Sequence, residues 1–321
     1  MQPPIQIPLP IPYGVGPVNS YLFLDPEPTL IDCGLKTDEC WAALNTALAT
    51  HGLTVADIRR VVITHAHVDH IGLANTIVAH SQAMIWVTPL VYPWAVDITD
   101  KWPARVRFLL QTLAPFGLPA DQLATLEQGM NRTTAMWDAV PVERVVTFPL
   151  DGTLELGGLP WQVIYTPGHS NTQSCFYQAE TGQFLAADML LAVTPTPVIE
   201  EPLEGDEREP GLPLFLDSLA LVEALEIDMV YPGHGDPFRG HRELIERQSA
   251  RIAERTEQCY ALIDDGQTTF GALLEAMYGH QPTTDRFPAM GMLLGYLDLL
   301  EGGGLIKGRR QDGVIHFRPT T

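Results

Sequence analysis

Hydrophobic positions in the first 88 residues follow two alternating patterns. Short apolar runs bounded by Gly, Pro or Asp are typical of strands, and between them apolar residues recur three and four positions apart, as in helices. The clearest helix lies between Thr37, a favourable N-cap residue, and Gly52, and its apolar face holds Trp41, Leu44 and Leu48. The pattern predicts strands at 5–12, 19–24, 29–32, 60–64 and 84–88, and helices at 38–51 and 71–80.

Residues 89–142 show the helical spacing alone, with prolines between the helical stretches. We interpret this segment as a helical insertion that forms a lid or one wall of an active-site cleft. Its tryptophans, Trp94, Trp102 and Trp137, would either line an acyl pocket or pack the insertion onto the body of the protein. The second interpretation is favoured, because aromatic side chains dominate protein cores in general.

Short apolar runs resume after residue 143. Strands at 144–148, 153–156 and 161–166 are separated by Asp151-Gly152 and Gly157-Gly158, which predict hairpins and therefore a meander. Further strands at 174–178, 184–187 and 229–231 and helices at 214–225 and 241–263 complete the pattern. We expect an α/β fold, specifically a four-layer αββα sandwich in which strands deliver residues to one edge of the sheets.

The composition and net charge limit the kinds of molecule that the protein is expected to bind. The 321 residues are 45% hydrophobic, enough for a large core, and 19 basic against 39 acidic residues give a net charge of −20. This charge disfavours nucleic acid and anionic lipid as partners, and no apolar run is long enough to span a membrane. The four cysteines lack Cys-x-x-Cys spacing and the N-terminus lacks the basic residues of a signal peptide, so we expect reduced thiols and a cytoplasmic protein.

One segment, residues 194–213, is rich in proline and acidic side chains and is interpreted as a solvated loop. Shielding of the active site from anionic substrates is a weaker alternative. Its acidic residues, opposed by a single Arg208, are Glu200, Glu201, Glu204, Asp206, Glu207 and Glu209.

The chemistry concentrates at residues 64–70, Thr-His-Ala-His-Val-Asp-His, between an apolar strand and a helix. Histidines packed so closely are rare in ordinary cores, and their nitrogen lone pairs suit a metal ion. Because side chains two apart on an extended strand point the same way, His65 and His67 can bind one ion. Asp69 and His70 follow where the chain turns, so they can reach a second ion.

Further metal-binding residue types follow other predicted strands. Pro167-Gly168-His169, Asp188 after an apolar strand, and Gly233-His234-Gly235 provide three more candidates. Together with His-x-His-x-Asp-His, this set resembles the metallo-β-lactamase superfamily of dinuclear metallohydrolases over roughly residues 5–258. The all-His/Asp ligand set is similar to that of glyoxalase II and its relatives.

The resemblance implies a role for each residue. The first metal would be held by His65, His67 and His169, the second by Asp69, His70 and His234, and Asp188 would bridge the two. Two divalent ions are expected, with zinc preferred and iron or manganese compatible with the same ligands. The remaining histidines match nothing in the pattern and are interpreted as surface or packing residues: His51, His80, His241, His280 and His316.

The last part of the chain predicts helices at 270–278 and 288–300 followed by a hairpin through Asp312-Gly313. This order resembles the small winged-helix module attached to some metallo-β-lactamase-fold proteins, including the LACTB2-like group. We therefore divide the chain into a catalytic domain, 1–258, and a winged-helix-like domain, 259–321. A structural role or support of a homo-oligomer is favoured over nucleic-acid binding, because basic and acidic residues are balanced there.

The expected reaction is hydrolysis without a covalent enzyme intermediate. Two ions about 3.5–4 Å apart would lower the pKa of a bound water so that a metal-bound hydroxide attacks, with Asp69 orienting it. No Gly-x-Ser-x-Gly nucleophile motif is present, which fits a water nucleophile. The leading substrate is a small-molecule acyl thioester, as in hydroxyacylglutathione hydrolase, or a related ester. An endoribonuclease or phosphodiesterase is the main alternative, and a lactonase the second.

Overall fold

Six strands form the first sheet of the computed structural model, which describes residues 3–199, 201, 208–280 and 287–320. Strands β1 to β3 are antiparallel and β3 to β6 are parallel, in the spatial order β1-β2-β3-β4-β5-β6. Their bounds are β1 Ile5–Leu9, β2 Val18–Phe23, β3 Thr29–Ile31, β4 Arg60–Val62, β5 Met84–Val87 and β6 Val145–Thr147.

Five strands form the second sheet, in the order β11-β10-β9-β8-β7. Within this sheet β10 and β11 pair in parallel, and the other three neighbouring pairs are antiparallel. Gly157 and Gly158, with φ of 59° and 74°, make the tight turn between β7 and β8, as predicted. The bounds are β7 Thr153–Leu156, β8 Leu159–Tyr165, β9 Ser174–Gln178, β10 Gln183–Ala187 and β11 Met229–Pro232.

The two sheets face each other across an aromatic core. Alternate residues of β2 show this arrangement: Tyr21 and Phe23 pack between the sheets with Trp161 and Phe176, whereas Leu22 packs against the helices. Helices cover the outer faces and give the predicted four-layer αββα sandwich. They are α1 Asp38–Thr50, α2 Val68–Ile71, α3 Ala74–His80, α7 Gly211–Glu223 and α8 His241–Asp264.

The helical insertion between β5 and β6 is confirmed as α4 Tyr92–Val96, α5 Ile98–Leu113 and α6 Ala120–Thr133. Its tryptophans pack in the core: Trp94 and Trp137 stack with ring centroids 6.4 Å apart, and the Trp102 indole donates to the Met130 carbonyl. These three tryptophans therefore pack the insertion onto the body of the protein, which is the role favoured from the sequence. Short 3-10 helices lie at Val55–Asp57, Ala114–Phe116, Thr134–Met136 and Val142–Arg144.

The C-terminal elements are α9 Phe270–Tyr278, α10 Phe287–Gly302, β12 Ile306–Gln311 and β13 Val314–Pro319, close to their predicted bounds. Phe270 and Phe317 pack against Phe116 of the insertion. Helix α8 runs without interruption across residue 258, where the sequence suggests a domain boundary. The division into two domains and the winged-helix character of the second remain predictions.

Two expectations differ from the structure. The predicted helix 71–80 is two helices, α2 and α3, because the Leu73 N–H donates to the Gly34 carbonyl and a side chain at Gly72 would overlap the backbone of Gly34 and Lys36. Strand β6 is not part of a meander with β7. It pairs in parallel with β5, so the insertion serves as the crossover between parallel strands.

Four cysteines, Cys33, Cys40, Cys175 and Cys259, are buried and free, as expected. Among the described residues, no helix has the length and apolarity needed to cross a lipid bilayer.

Candidate metal centre

All seven predicted ligands follow the ends of strands at one edge of the sandwich. His65 to His70 come after β4, His169 after β8, Asp188 directly after β10, and His234 after β11. Parallel strands place their carboxyl ends at the same edge, and each sheet contributes a parallel pair there. His67 is extended, with φ −90° and ψ 147°, and α2 begins at the next residue, so the chain turns between the two halves of the motif.

Asp188 is fixed by an irregularity at the end of β10. The register with β11 shifts between Leu185 and Ala187, and Ala187 has a φ of 45°, which costs a non-glycine residue about 1–3 kcal/mol. Gly233 donates its N–H to the Ala187 carbonyl, and a Cβ at Gly233 would overlap Oδ1 of Asp188. Only glycine permits this approach between the turn that carries His234 and the carboxylate of Asp188.

The structure brings the seven residues together as two triads with a carboxylate between them. One group is His65, His67 and His169, and another is Asp69, His70 and His234; within each, candidate ligand atoms lie within 4.8 Å of one another. Asp188 faces both groups. Its Oδ2 lies 3.4 Å from Nε2 of His169 and 3.4 Å from Nε2 of His234, and its Oδ1 lies 3.5 Å from Nε2 of His70.

Each imidazole is oriented by a hydrogen bond through the nitrogen that faces away from the centre. Such outer contacts fix the tautomer and leave one lone pair directed inward, as in metal-binding histidines generally. The pairs are His65 Nδ1 with Thr64 Oγ1 at 2.9 Å, His67 Nε2 with Glu201 Oε1 at 3.2 Å, His70 Nδ1 with Asp32 Oδ2 at 2.8 Å, His169 Nδ1 with the Pro197 carbonyl at 2.7 Å, and His234 Nδ1 with the Pro17 carbonyl at 3.0 Å.

Asp32 organises the half of the site that follows β4. This buried residue, with a φ of 59°, accepts hydrogen bonds from the Thr64 N–H and hydroxyl and pairs with His70. Since the Thr64 hydroxyl donates to Asp32, it is free to accept from His65. The sequence analysis missed Asp32; the signal available was an acidic residue ending an apolar strand immediately before Cys33-Gly34.

Glu201 is a second residue that the sequence analysis missed, and its assignment to a solvated loop was wrong. Its side chain is 2% exposed and contacts His67, accepts from the Ser170 hydroxyl at 2.6 Å, and pairs with Arg105 of α5 at 3.1 Å. Arg105 lies over the Trp94 and Trp102 rings. The insertion is thus connected to a metal-site histidine through one ion pair. Glu200, Glu204, Asp206 and Glu207 lie outside the described residues.

The electrostatics divide the imidazoles into two kinds. Burial and the neighbouring His67 lower the pKa of His169 to about 4, and burial with His70 and His67 holds the pKa of His65 well below its usual value, so these rings are neutral. Burial acts in the same direction on His234, but Asp188 outweighs it and raises the pKa to about 10. Burial acts to raise the pKa of Asp69, but His70 and His234 bring it to about 2.

The donor set fits divalent metal ions. Nε2 of His70 and Oδ1 of Asp188 are buried and have no hydrogen-bond partner among the described residues. Nδ1 of His67 lies 3.1 Å from Nε2 of His65 and 3.0 Å from Nε2 of His169. Each of those two Nε2 atoms carries a lone pair, because both rings bear their proton on Nδ1. Three converging nitrogens share too few protons for mutual hydrogen bonding, whereas a cation would satisfy all of them.

A family model agrees with this centre. Residues 13–234 match the model of the metallo-beta-lactamase superfamily, and the chain belongs to that superfamily. With the His/Asp groups, membership makes the protein a metal-dependent hydrolase.

Similar proteins cover the chain to different extents. The probable metallo-hydrolase YqjP of Bacillus subtilis is 28% identical over 98% of this chain and 97% of its own. The crystal structure of the metallo-beta-lactamase family protein TTHA1429 from Thermus thermophilus aligns with a TM-score of 0.82 at 26% identity, covering 98% of each chain. Thioesterase pkgB of Emericella nidulans is 22% identical over 73% of this chain and 50% of its own length.

The other five histidines belong to none of the candidate metal groups found among the described residues: His51, His80, His241, His280 and His316. His80, for example, packs beside Trp41, with ring centroids 5.2 Å apart.

Proposed function

We propose that the protein is a dinuclear metal hydrolase that cleaves acyl thioesters. The observation that carries the dinuclear site is the position of Asp188 between two triads, within 3.5 Å of histidines from both. His65, His67 and His169 would hold one ion and Asp69, His70 and His234 the other, with Asp188 as a ligand shared by both. Zinc suits this nitrogen and carboxylate set, as do iron and manganese.

Divalent ions in such a site lower the pKa of water and polarise a substrate carbonyl oxygen. The chain's own contribution is to hold the ligands in place before substrate binds. The hydrogen bonds to the outer nitrogens fix the orientation of the five imidazoles and aim their other nitrogens inward. Asp69 is 9% exposed and lies beside His70 and His234, where its carboxylate would orient the attacking water.

The choice of a thioester is supported by two observations. The donor set is entirely His and Asp, with no cysteine among the candidate groups of the described residues, and such a set is similar to that of the thioesterase glyoxalase II. A relative that matches 73% of this chain is named a thioesterase.

Thiol release tests this function. Metal-loaded protein is incubated with a short series of glutathione and coenzyme A thioesters of increasing acyl length, and free thiol is measured with a colorimetric reagent. We expect release by the wild type, retained activity in His51→Ala, whose histidine lies outside the centre, and loss of nearly all activity in Asp69→Ala. Wild-type protein that contains two metals and releases no thiol from any member of the series would refute the thioesterase assignment.

A further inference from the structure

A cavity lined by both polar and apolar side chains lies between α7, α8, α9, α10 and residues 195–197. Its volume is about 230 Å³, and its walls include Phe215, Ile252 and Met292 on the apolar side. None of the seven candidate metal ligands lines it. Residues 195–197, which form one wall of the cavity, also contact the metal centre, because the Pro197 carbonyl accepts a hydrogen bond from Nδ1 of His169.

Two buried polar side chains in this cavity lack partners. Gln248, 8% exposed, has neither its amide nitrogen nor its amide oxygen hydrogen-bonded within the described residues, and the same holds for the hydroxyl of Thr196, 5% exposed. Leaving such groups buried and unpaired is costly, and most buried polar groups in proteins are satisfied. Unpaired donors and an acceptor that line one cavity therefore indicate a ligand that would pair with them.

The charge of the cavity is positive in a strongly acidic protein. Arg251 and Arg255 line it one helical turn apart on α8, a spacing at which like charges repel, and no described lining residue is acidic. Arg255 donates to the Met277 carbonyl and to Oε1 of Gln258, and its guanidinium carbon lies 4.7 Å from the centroid of the Tyr278 ring. No described residue forms an ion pair or hydrogen bond with Arg251, which leaves its guanidinium available. This local excess of positive charge contrasts with the net charge of −20 of the whole chain.

We propose that the cavity binds a small organic anion, a carboxylate or phosphate carried on a short apolar body. Arg251 and Arg255 would bind the charged group, since guanidinium pairs well with both carboxylate and phosphate. The Gln248 amide and the Thr196 hydroxyl would complete its hydrogen bonds, and Phe215 and Ile252 would contact the apolar body. This site is distinct from the metal centre, and the inference holds whichever bond that centre cleaves.

Calorimetric titration of the metal-loaded protein tests the proposal with three matched probes: benzoate, phenyl phosphate and the neutral benzamide. We expect one or both anions to bind and benzamide to bind at least about tenfold more weakly. Preference for benzoate would identify the group as a carboxylate, and preference for phenyl phosphate as a phosphate; either supports the shared chemistry.

Variants on α8 locate the binding. Arg251→Gln and Gln248→Leu should each weaken the anion about tenfold or more, while Arg247→Gln, an exposed change one turn away that does not line the cavity, should leave it unchanged. Gln248→Leu should also raise the unfolding temperature, because it removes an unpaired buried amide. Binding that survives Arg251→Gln, as binding at the metals would, overturns the proposal, as does failure of both anions to bind the wild type.

Discussion

The ion pair between Arg105 and Glu201 is predicted to be the contact through which the insertion stabilises the metal centre. Both side chains are buried, at 4% and 2% exposed, and their closest atoms are 3.1 Å apart. Burial acts to raise the pKa of Glu201, but Arg105 and the hydrogen bonds from His67 and Ser170 outweigh it and bring the pKa to about 2. Both groups are therefore charged at neutral pH.

The size of the effect follows from burial. Removing one partner of a buried pair leaves an uncompensated charge and typically costs about 3–5 kcal/mol, whereas replacing both partners with uncharged groups is far less costly. Arg105→Met and Glu201→Gln should each lower the free energy of unfolding by about that amount. The double variant should lose less than the sum of the singles, with a coupling of about 2–3 kcal/mol.

Urea unfolding of metal-free protein measures these four free energies without a contribution from bound ions. Glu226→Gln, which removes an exposed pair with Arg242 and leaves the other hydrogen bonds of Arg242 in place, is the matched control and should change stability little. Metal titration supplies a second readout. Glu201→Gln should weaken affinity about 10–100-fold, since Glu201 orients His67. The proposed stabilisation of the metal centre by the insertion would be refuted if the two single variants lowered the free energy of unfolding additively and Glu201→Gln bound metal as tightly as the wild type.

Three further predictions concern other contacts. Asp32→Asn removes the carboxylate that pairs with His70 and Thr64, and should weaken metal binding about 10–100-fold by titration; unchanged affinity would mean that Asp32 does not position these ligands. Gly233→Ala places a methyl group on Asp188 Oδ1 and should abolish metal-dependent turnover, whereas Gly271→Ala, where a Cβ has open space, should not. Hydrogen bonds from Thr54 hold the pKa of the exposed Asp57 carboxyl below its usual value of 3.8. The ionised carboxylate therefore stabilises the fold above pH 3.8, and this stabilisation is lost as the pH falls through the pKa of Asp57 in the folded protein. In acid unfolding, Asp57→Asn should lack this pH-dependent loss of stability.

Local sequence determined much of the fold. Thr37 caps α1 and accepts from the Cys40 N–H, and the β12–β13 hairpin turns at Asp312 and Gly313, which have φ of 50° and 86°. These elements were predictable because their signals lie within a few residues of one another. The candidate metal motif was recognisable for a similar reason, since four of the seven candidate ligands occupy residues 65–70.

What the sequence could not show depends on contacts between distant segments. Asp32 and Glu201 reach the centre from positions 38 and 134 residues away from their histidine partners, and each is an isolated carboxylate in the sequence. The break between α2 and α3 depends on the Gly34 carbonyl, and the pairing of β6 with β5 depends on where the insertion returns the chain. No periodicity encodes such contacts.

Metal content per chain tests the central claim most directly. Protein reconstituted with zinc and freed of excess ion should contain two equivalents by elemental analysis. Asp188→Ala should lose the second metal, and His51→Ala, the control outside the centre, should keep both. Two equivalents in the wild type and at most one in Asp188→Ala would support a dinuclear centre bridged by this carboxylate. One or no equivalent in the wild type, or two in Asp188→Ala, would contradict it.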